Sequence, residues 1–300
     1  MIHAKCVMDG CIYMRHSDLL NNDGTYCCNG CKLNNRHGKN CERLEFDNKG
    51  VELCINGWYG RLGNNIHQLH NCILIGLYYN CNIKFPSHNF FTKTYIQLHN
   101  LPVCHTITDP GNFFHKKNID NIDKILFFKN NERALDILRD CFIIKGDSIP
   151  SLGDNDVVIH IRSGDIFNIC IEELYWQPPL SFYVNLIKKI KFTNIYLVSE
   201  DNANPCVDTL LELFPNIKYK QNTLEDDIKI LLAAKTIISS HGTFVNELVK
   251  MSKNIERIRR YSNKTYIEFM TPWKNTEEQR HIMLTFDETK PNNGLEVDIL

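Results

Sequence analysis

From residue 156 onward, short apolar runs and helical stripes follow one another with little between them. Val157, Val158, Ile159 and Ile161 make the first run, short and mostly β-branched, the pattern of a buried strand. PPLSFYVNLIKKIK continues as a helix, with Pro178 and Pro179 admissible only near its first turn. NIYLVSED, 194–201, reads as a strand that ends in polar residues, and ANPCVDTLLELFP as a helix closed by Pro215. NIKYK is a short strand. TLEDDIKILLAAK, 223–235, is a helix with Thr223 as N-cap and Asp226 three residues on, the spacing of a capping box. TIISS, 236–240, is a strand, HGTFVNELVKMSK a glycine turn and helix, and ERIRRYS a last strand before a tail. Such a βα succession predicts a parallel sheet.

The first half is less regular. VELCIN from Val51 reads as a strand that runs into GWYGRLGNNIHQLH, where glycines punctuate a turn. An apolar stripe at Ile66, Leu69, Ile73 and Leu77 then predicts a helix. NIKF, 82–85, is the next strand, ended by Pro86. Residues 87–125 carry aromatic and polar residues with Pro102 and Pro110 as breakers, and read as loop. ERALDILRDCF, 132–142, is a helix, and GDSIPSLGDND, 146–156, has the composition of a linker. Three regions result: a module over 1–50, an α/β domain over 51–150 and a second over 151–300.

Composition narrows the class. The chain has 300 residues, 43% hydrophobic and 23% charged, with a formal net charge of -1. That is a globular composition. It shows no basic stripe of the kind nucleic-acid binders carry, and no apolar run reaches the length of a membrane span. The start lacks the apolar core of a signal peptide, which fits a cytoplasmic protein, the reading adopted, and equally one whose targeting piece is absent. The 13 cysteines are unevenly placed. Cys6, Cys11, Cys27, Cys28, Cys31 and Cys41 crowd the first module, whereas Cys72, Cys141 and Cys170 sit singly in apolar settings as reduced core thiols do. Cys28, Cys31, His37 and Cys41 have near-knuckle spacing for a structural zinc. Cys6, Cys11, His16 and Cys27 would complete a second site or pair as disulfides, and a module this short needs some staple. Zinc, disulfides and reduced thiols all stay open.

Candidate chemistry gathers at strand ends. His160, Arg162, Ser163, Gly164 and Asp165 follow the 157–161 run, at the edge where open α/β sheets bind ligands. An arginine there offers a planar fork suited to phosphate. Ser199, Glu200 and Asp201 end another strand, and Ser239, Ser240, His241, Gly242 and Thr243 a third. In the first half, Gly57, Gly60 and Gly63 form a strand–turn–helix setting that can cradle phosphate. It is not the dinucleotide fingerprint. His67 and His70 stand at i and i+3, either facing a cleft or, the favoured reading, as satisfied surface imidazoles.

Three of these stretches resemble one superfamily. GRLGNNIHQLH, 60–70, resembles the G-R-x-G-N segment of GDP-fucose-dependent fucosyltransferases. HIRSGD, 160–165, resembles their H-x-R-x-G-D motif. TLEDDIKILLAAKTIISSHGTF, 223–244, resembles the segment that carries their late Ser/Thr-Phe motif. The alpha-1,2-fucosyltransferases are nearest in pattern, and the likeness covers roughly residues 52–260. It implies a GT-B fold of two Rossmann-like domains with the site in a cleft between them. It also implies inverting transfer of fucose from GDP-fucose to a glycan or glycoprotein hydroxyl, with no catalytic metal. Arg162 is then the pyrophosphate ligand, with His160, Gly164 and Asp165 shaping its turn. Gly60, Arg61, Gly63 and Asn64 reach the phosphate or sugar, Arg162, Asp165 and Asn64 being the catalytic candidates. Ser240, Gly242, Thr243 and Phe244 form the late donor contact, and Asp227 falls near an acidic donor position. Two departures matter: position 163 is Ser where the motif often has a second Arg, and Gly242 precedes Thr243 where Ser is common. They leave open a different nucleotide sugar, while the lack of an evident base and the extra Cys/His region leave open a non-catalytic carbohydrate-binding or scaffold protein on a transferase fold. The general base is not evident: Asp165 is a candidate, and Glu172, Glu200 and Asp201 are looser ones.

Overall fold

The structure, a computed structural model, describes residues 50–109, 129–146, 149–167 and 175–287. The 1–50 module up to residue 49 lies outside them, and with it the candidate zinc ligands Cys28, Cys31, His37 and Cys41; so do Cys170 and Glu172. The chain divides into two compact units between Ile143 and Ile144, just ahead of the stretch read as a linker.

Unit 1 is built on β1 (Gly50–Ile55), α1 (Leu62–Tyr79), β2 (Asn82–Lys84), β3 (Tyr95–Ile96), β4 (Val103–Asp109) and α2 (Asn131–Cys141). The sheet order is β3-β2-β1-β4, with β1 parallel to both neighbours and β3 antiparallel to β2. Ile66, Leu69, Cys72 and Ile73 of α1 are wholly buried, as its stripe requires. The helix stops at Asn80, whose left-handed backbone (φ 55) returns its N–H to the Gly76 carbonyl. The reading of 87–125 as loop is corrected in part, because it contains β3 and β4. β4 escaped because it has little buried face to write a period into the sequence: Val103 is 44% exposed, and Cys104, Thr106 and Thr108 are exposed too.

Unit 2 holds β5 (Val157–Ile161), a 3₁₀ turn (Gly164–Phe167), α3 (Leu180–Lys189), β6 (Ile195–Ser199), α4 (Pro205–Leu213), β7 (Ile217–Tyr219), α5 (Leu224–Ala233), β8 (Thr236–Ser239), α6 (Thr243–Leu248), β9 (Arg257–Arg260), α7 (Lys264–Met270) and α8 (Glu277–Thr285). All five strands are parallel, in the order β7-β6-β5-β8-β9. Every residue of central β5 is buried. Ile159, Ile161, Leu197 and Ile238 pack on one face with Tyr183 of α3, Val207 and Leu210 of α4, Tyr266 of α7 and Met283 of α8. By the alternation of strands, Val158, His160, Val198, Ile237 and Ser239 face the other way. α5 packs on β6 and against α6.

The tail expected after β9 is instead α7 and α8, a second correction. They close the core with Trp273, which is 0% exposed, and truncating such a residue costs about 3–5 kcal/mol. Both helices are short, and α8 buries only Met283, so neither writes a long stripe. Their N-caps were the readable signal: Asn263 accepts from the Tyr266 amide and Thr276 from the Gln279 amide, each at 3.2 Å. Among the described residues no helix is long and apolar enough to cross a membrane.

Candidate functional site

Strand order locates the site in unit 2. The chain runs outward from β5 to β6 and β7, then returns to the other side of β5 for β8 and β9. Connections after β5 and β8 therefore leave in opposite directions, and such a switch point opens the crevice where doubly wound sheets bind ligands. Arg162 follows β5 there, and Ser240, His241 and Gly242 follow β8.

The two strand ends are bonded to each other. The Ser240 amide donates to the His160 carbonyl at 2.9 Å, and the Arg162 amide donates to Ser240 Oγ at 2.8 Å. Ser240 Oγ also lies 3.1 Å from His160 Nδ1. A hydroxyl can accept two hydrogen bonds as well as donate one, so this contact holds with either tautomer of the neutral imidazole. Burial holds this imidazole neutral: its pKa is lowered to about 3, first by desolvation and then by the Arg162 charge. The Phe244 ring stands 5.6 Å from it. His160 is thus a brace between strand ends, and its partners are Ser240 and Phe244.

Ser163, where a second arginine is common in the motif, is 1% exposed and has a different task. Its hydroxyl donates to Asp201 Oδ1 and accepts from the Asn204 amide. Asp201 Oδ1 also takes the amides of Gly164 at 3.1 Å and Ala203 at 2.9 Å. Asn204 Nδ2 donates to the Arg162 carbonyl at 3.0 Å, while its Oδ1 caps α4 through the Cys206 amide. The end of β6 therefore holds the end of β5 through two side chains. Asp201, a looser base candidate from the sequence, is occupied by these bonds. Gly164 has φ +68, so the turn needs glycine; a Cβ there would also have to displace the carboxylate end of the exposed Glu200 side chain.

Arg162 is fixed at both backbone groups, and its side chain is 19% exposed. The guanidinium lies 4.7 Å from the centre of the Tyr175 ring. Asp165 Oδ1 is 3.7 Å from its Nη2, too long for a hydrogen bond, so the carboxylate orients the fork without saturating it. On a third side, a Cβ on Gly242 would stand 3.0 Å from Nη1, and Gly242 has φ +149, so glycine lets this backbone approach. Trp176, beside Tyr175, carries the His241 ring at 4.4 Å. The structure thus brings His160, Arg162, Gly164, Asp165, Ser240, Gly242 and Phe244 together; Thr243 starts α6 and is exposed. Tyr175, Trp176 and Asn204 were not foreseen. The Asn-Pro of Asn204 marked a helix start, but nothing local marks Tyr175 as a partner of Arg162.

Asp227 stands elsewhere on the same edge, in the first turn of α5, where its carboxylate accepts from Asn222 Nδ2 at 3.1 Å. Burial raises its pKa to about 6; the Asn222 bond opposes the rise and the Asp226 charge adds to it. The Tyr219 phenol is raised by burial and by the carboxylates of Asp201, Asp208 and Asp227.

In unit 1 the glycine turn before α1 is pinned by that helix. Gln68 Oε1 accepts from the Tyr59 amide at 3.1 Å and its Nε2 donates to the Gly57 carbonyl at 3.2 Å. Asn65 Nδ2 donates to the Tyr59 carbonyl at 2.9 Å, and His88 Nε2 meets Asn65 Oδ1 at 3.2 Å. The Asn64 amide closes over Gly60, Arg61 is the exposed N-cap residue, and Gly63 is buried in the first turn. α1 starts at Leu62 and has no side-chain cap and no acidic residue in its first turn. The surface reading of His70 is corrected: it is 5% exposed, on the packed side of α1. His67 bonds Asn71 at 3.0 Å.

Among the described residues no group of three or more His, Cys, Asp or Glu side chains could hold a metal. No protein-family model and no curated protein matches the chain. Solved structures similar to it include POFUT1 in complex with GDP-fucose, at 10% identity and a TM-score of 0.42, covering 71% of this chain and 98% of that one. NodZ alpha-1,6-fucosyltransferase co-crystallised with GDP is similar at 11% identity and 0.40, covering 71% and 95%. E. coli heptosyltransferase WaaC with ADP is similar at 12% and 0.31, covering 67% and 84%. Scores this low leave the functional reading to the residues themselves.

Proposed function

We propose that this chain is a glycosyltransferase that moves a sugar, fucose from GDP-fucose in the favoured form, to a glycan hydroxyl with inversion. Arg162 carries the reading. It is a guanidinium held at the switch point of a doubly wound sheet, inside the motif H-x-R-x-G-D, with its orientation set by Tyr175, Asp165 and Gly242. In the reaction the acceptor oxygen bonds the anomeric carbon from the face opposite the diphosphate. The bond from that carbon to the diphosphate oxygen breaks, and the electron pair leaves with the nucleoside diphosphate. Arg162 stabilises the charge that grows there. The acceptor proton passes to a base, for which Asp165 is the candidate, since Asp201 is occupied by Ser163 and two amides. Ser240, Gly242, Thr243, Phe244 and Asp227 complete the donor side. Gly60, Arg61, Gly63 and Asn64 of unit 1 are the proposed further contacts to the phosphate or sugar, on the resemblance of their G-R-x-G-N segment.

The test is a melting series with GDP, UDP, dTDP and ADP, followed by turnover of the stabilising nucleotide's sugars with acceptor glycans. GDP alone should raise the melting temperature. Arg162→Ala should lower affinity and turnover at least about tenfold, since a charge-assisted hydrogen bond is worth roughly 1.5–3 kcal/mol. Arg162→Lys should rescue little, because an ammonium keeps the charge and loses the fork. Stabilisation by UDP or dTDP instead would change the donor. Glycan binding without turnover of any donor would make the chain a binding protein.

A further inference from the structure

The C-terminal segment of unit 2 reaches back to both pieces of chain that border Arg162. Trp273 Nε1 donates to the Ile166 carbonyl at 3.3 Å, and Asn275 Nδ2 donates to the carbonyl of the next residue, Phe167. These two carbonyls close the 3₁₀ turn Gly164–Phe167, which carries Asp165. The last carbonyls of a helical turn find no partner within it, so donors must come from outside. Here both come from one stretch of three residues, Trp273–Asn275. Trp273 and α8 also pack on the turn: the Phe167 ring meets Trp273 edge-on at 5.6 Å, and the guanidinium of Arg280 in α8 lies 5.7 Å from its centre. On the other border, Tyr266 donates its hydroxyl proton to the Gln177 carbonyl at 2.6 Å. Gln177 ends the Tyr175–Trp176 piece that lies under the Arg162 guanidinium and against His241. Tyr266 and Trp273 are both 0% exposed.

We infer that Tyr266, Trp273 and Asn275 are positioning residues for the Arg162 grip: three side-chain donors of the C-terminal segment fix the two walls between which the guanidinium is held. This rests on the reading of Arg162 as a phosphate ligand and adds a part of the chain that no motif marks. Arg162 has its backbone tied to Ser240 and Asn204, but its fork is aimed by Asp165 and Tyr175, and those stand on the latched pieces. Supporting residues of this kind matter because a shift of about 1 Å in a binding group is enough to lose most of its contribution.

The test uses the full chain. Trp273→Phe keeps the ring and removes the N–H, Tyr266→Phe removes one hydroxyl, and Asn275→Ala removes the third donor. Hydrogen exchange is read at the amides of 164–167 and 175–177, with strand amides of 157–161 and 195–199 as the internal reference. GDP affinity is read by calorimetry for each variant, alone and combined with Arg162→Ala. Exchange should quicken on the latched pieces and not in the strands. Trp273→Phe and Tyr266→Phe should each weaken GDP about five- to tenfold, the size of one lost hydrogen bond. Combined with Arg162→Ala they should weaken it no further, because a positioning residue acts through the group it positions. Unchanged exchange on the latched pieces, or an equal loss of affinity with and without Arg162, would overturn the inference. Should the parent chain not bind GDP, the nucleotide reading falls, and the exchange measurement still decides for or against the latch.

Discussion

An imidazole buried beside the Arg162 charge stays neutral in the fold, and this gives the site an acid limit. In the unfolded chain His160 titrates at its ordinary 6.5, whereas burial and Arg162 hold it near 3 in the fold. Between those values the unfolded state binds the extra proton, so stability falls as the pH drops below 6.5. At pH 5 this amounts to about 2 kcal/mol, from 1.36 kcal/mol per pH unit. His160→Asn keeps an acceptor near the position of Nδ1 and cannot titrate. We expect the variant to be less stable than the parent at pH 7, because the ring leaves a gap, and to lose about 2 kcal/mol less than the parent between pH 7 and pH 5. Urea melts at the two pH values measure the difference; equal losses in both proteins would show that His160 does not set the limit. The residues of the crevice were legible as types at strand ends: Arg162, Gly164, Ser240 and Gly242 are where the pattern put them. What each side chain touches was not. Ser163 reads as a missing arginine in the motif and turns out to bind Asp201, and Tyr175 lies far along the chain from any polar strand end.

The helix α5 carries a buried carboxyl in its first turn at some cost to its own stability. Thr223 caps it by accepting from the Asp226 amide at 3.2 Å, as the capping spacing predicts. Asp227, one residue on, is buried, and its pKa rises from 3.8 to about 6. A raised carboxyl binds its proton more tightly in the fold, so it favours folding below about pH 4 and opposes it progressively up to pH 6 and fully above. The shift corresponds to at most about 3 kcal/mol, and water that still reaches the carboxyl reduces this to about 1 kcal/mol. Asp227→Asn keeps an acceptor for Asn222 and leaves Glu225 and Asp226 to complement the helix N-terminus. It should therefore raise the melting temperature at pH 7 by a few degrees and leave it unchanged at pH 4, while weakening GDP if Asp227 is a donor ligand. A variant that is stabler and binds GDP as the parent does would place Asp227 outside the site. At this scale the sequence was most readable where an element buries a continuous face. α1, α3, α5, β5 and β8 were found for that reason. β4 exposes most of its described side chains, and α7 and α8 are too short to show a stripe, so neither periodicity nor propensity revealed them.

At the level of the whole chain the division into two units between Ile143 and Ile144 has an energetic meaning. Unit 2 owns its core: Trp273, Tyr183, Tyr266, Ile159 and Leu210 are buried by residues of the same unit. Its sheet is continuous from β7 to β9, and its strand ends are bonded to one another through Ser163, Ser240, Asp201 and Asn204. The break falls just ahead of 146–156, whose Gly, Pro and Asp content reads as a linker, and the parallel order is the one the βα succession predicts. The strand order, which makes the β5–β8 gap the switch point, was not, because pairing partners leave no mark in a single sequence. A chain of unit 2's length can bury enough surface to fold alone. We therefore expect residues 144–300, produced without unit 1, to melt cooperatively. Under the proposed function the phosphate and nucleotide ligands Arg162, Ser240, Gly242 and Asp227 all belong to this unit, so the fragment should bind GDP within about tenfold of the full chain, a difference of about 1.4 kcal/mol. It should transfer no sugar, since Gly63 and Asn64 are absent. Calorimetry with GDP and a transfer assay on the fragment test both halves of this. A fragment that folds yet loses GDP by more than about a hundredfold, about 2.7 kcal/mol, would move the principal nucleotide contacts to unit 1 and overturn the assignment of the donor to the β5–β8 crevice.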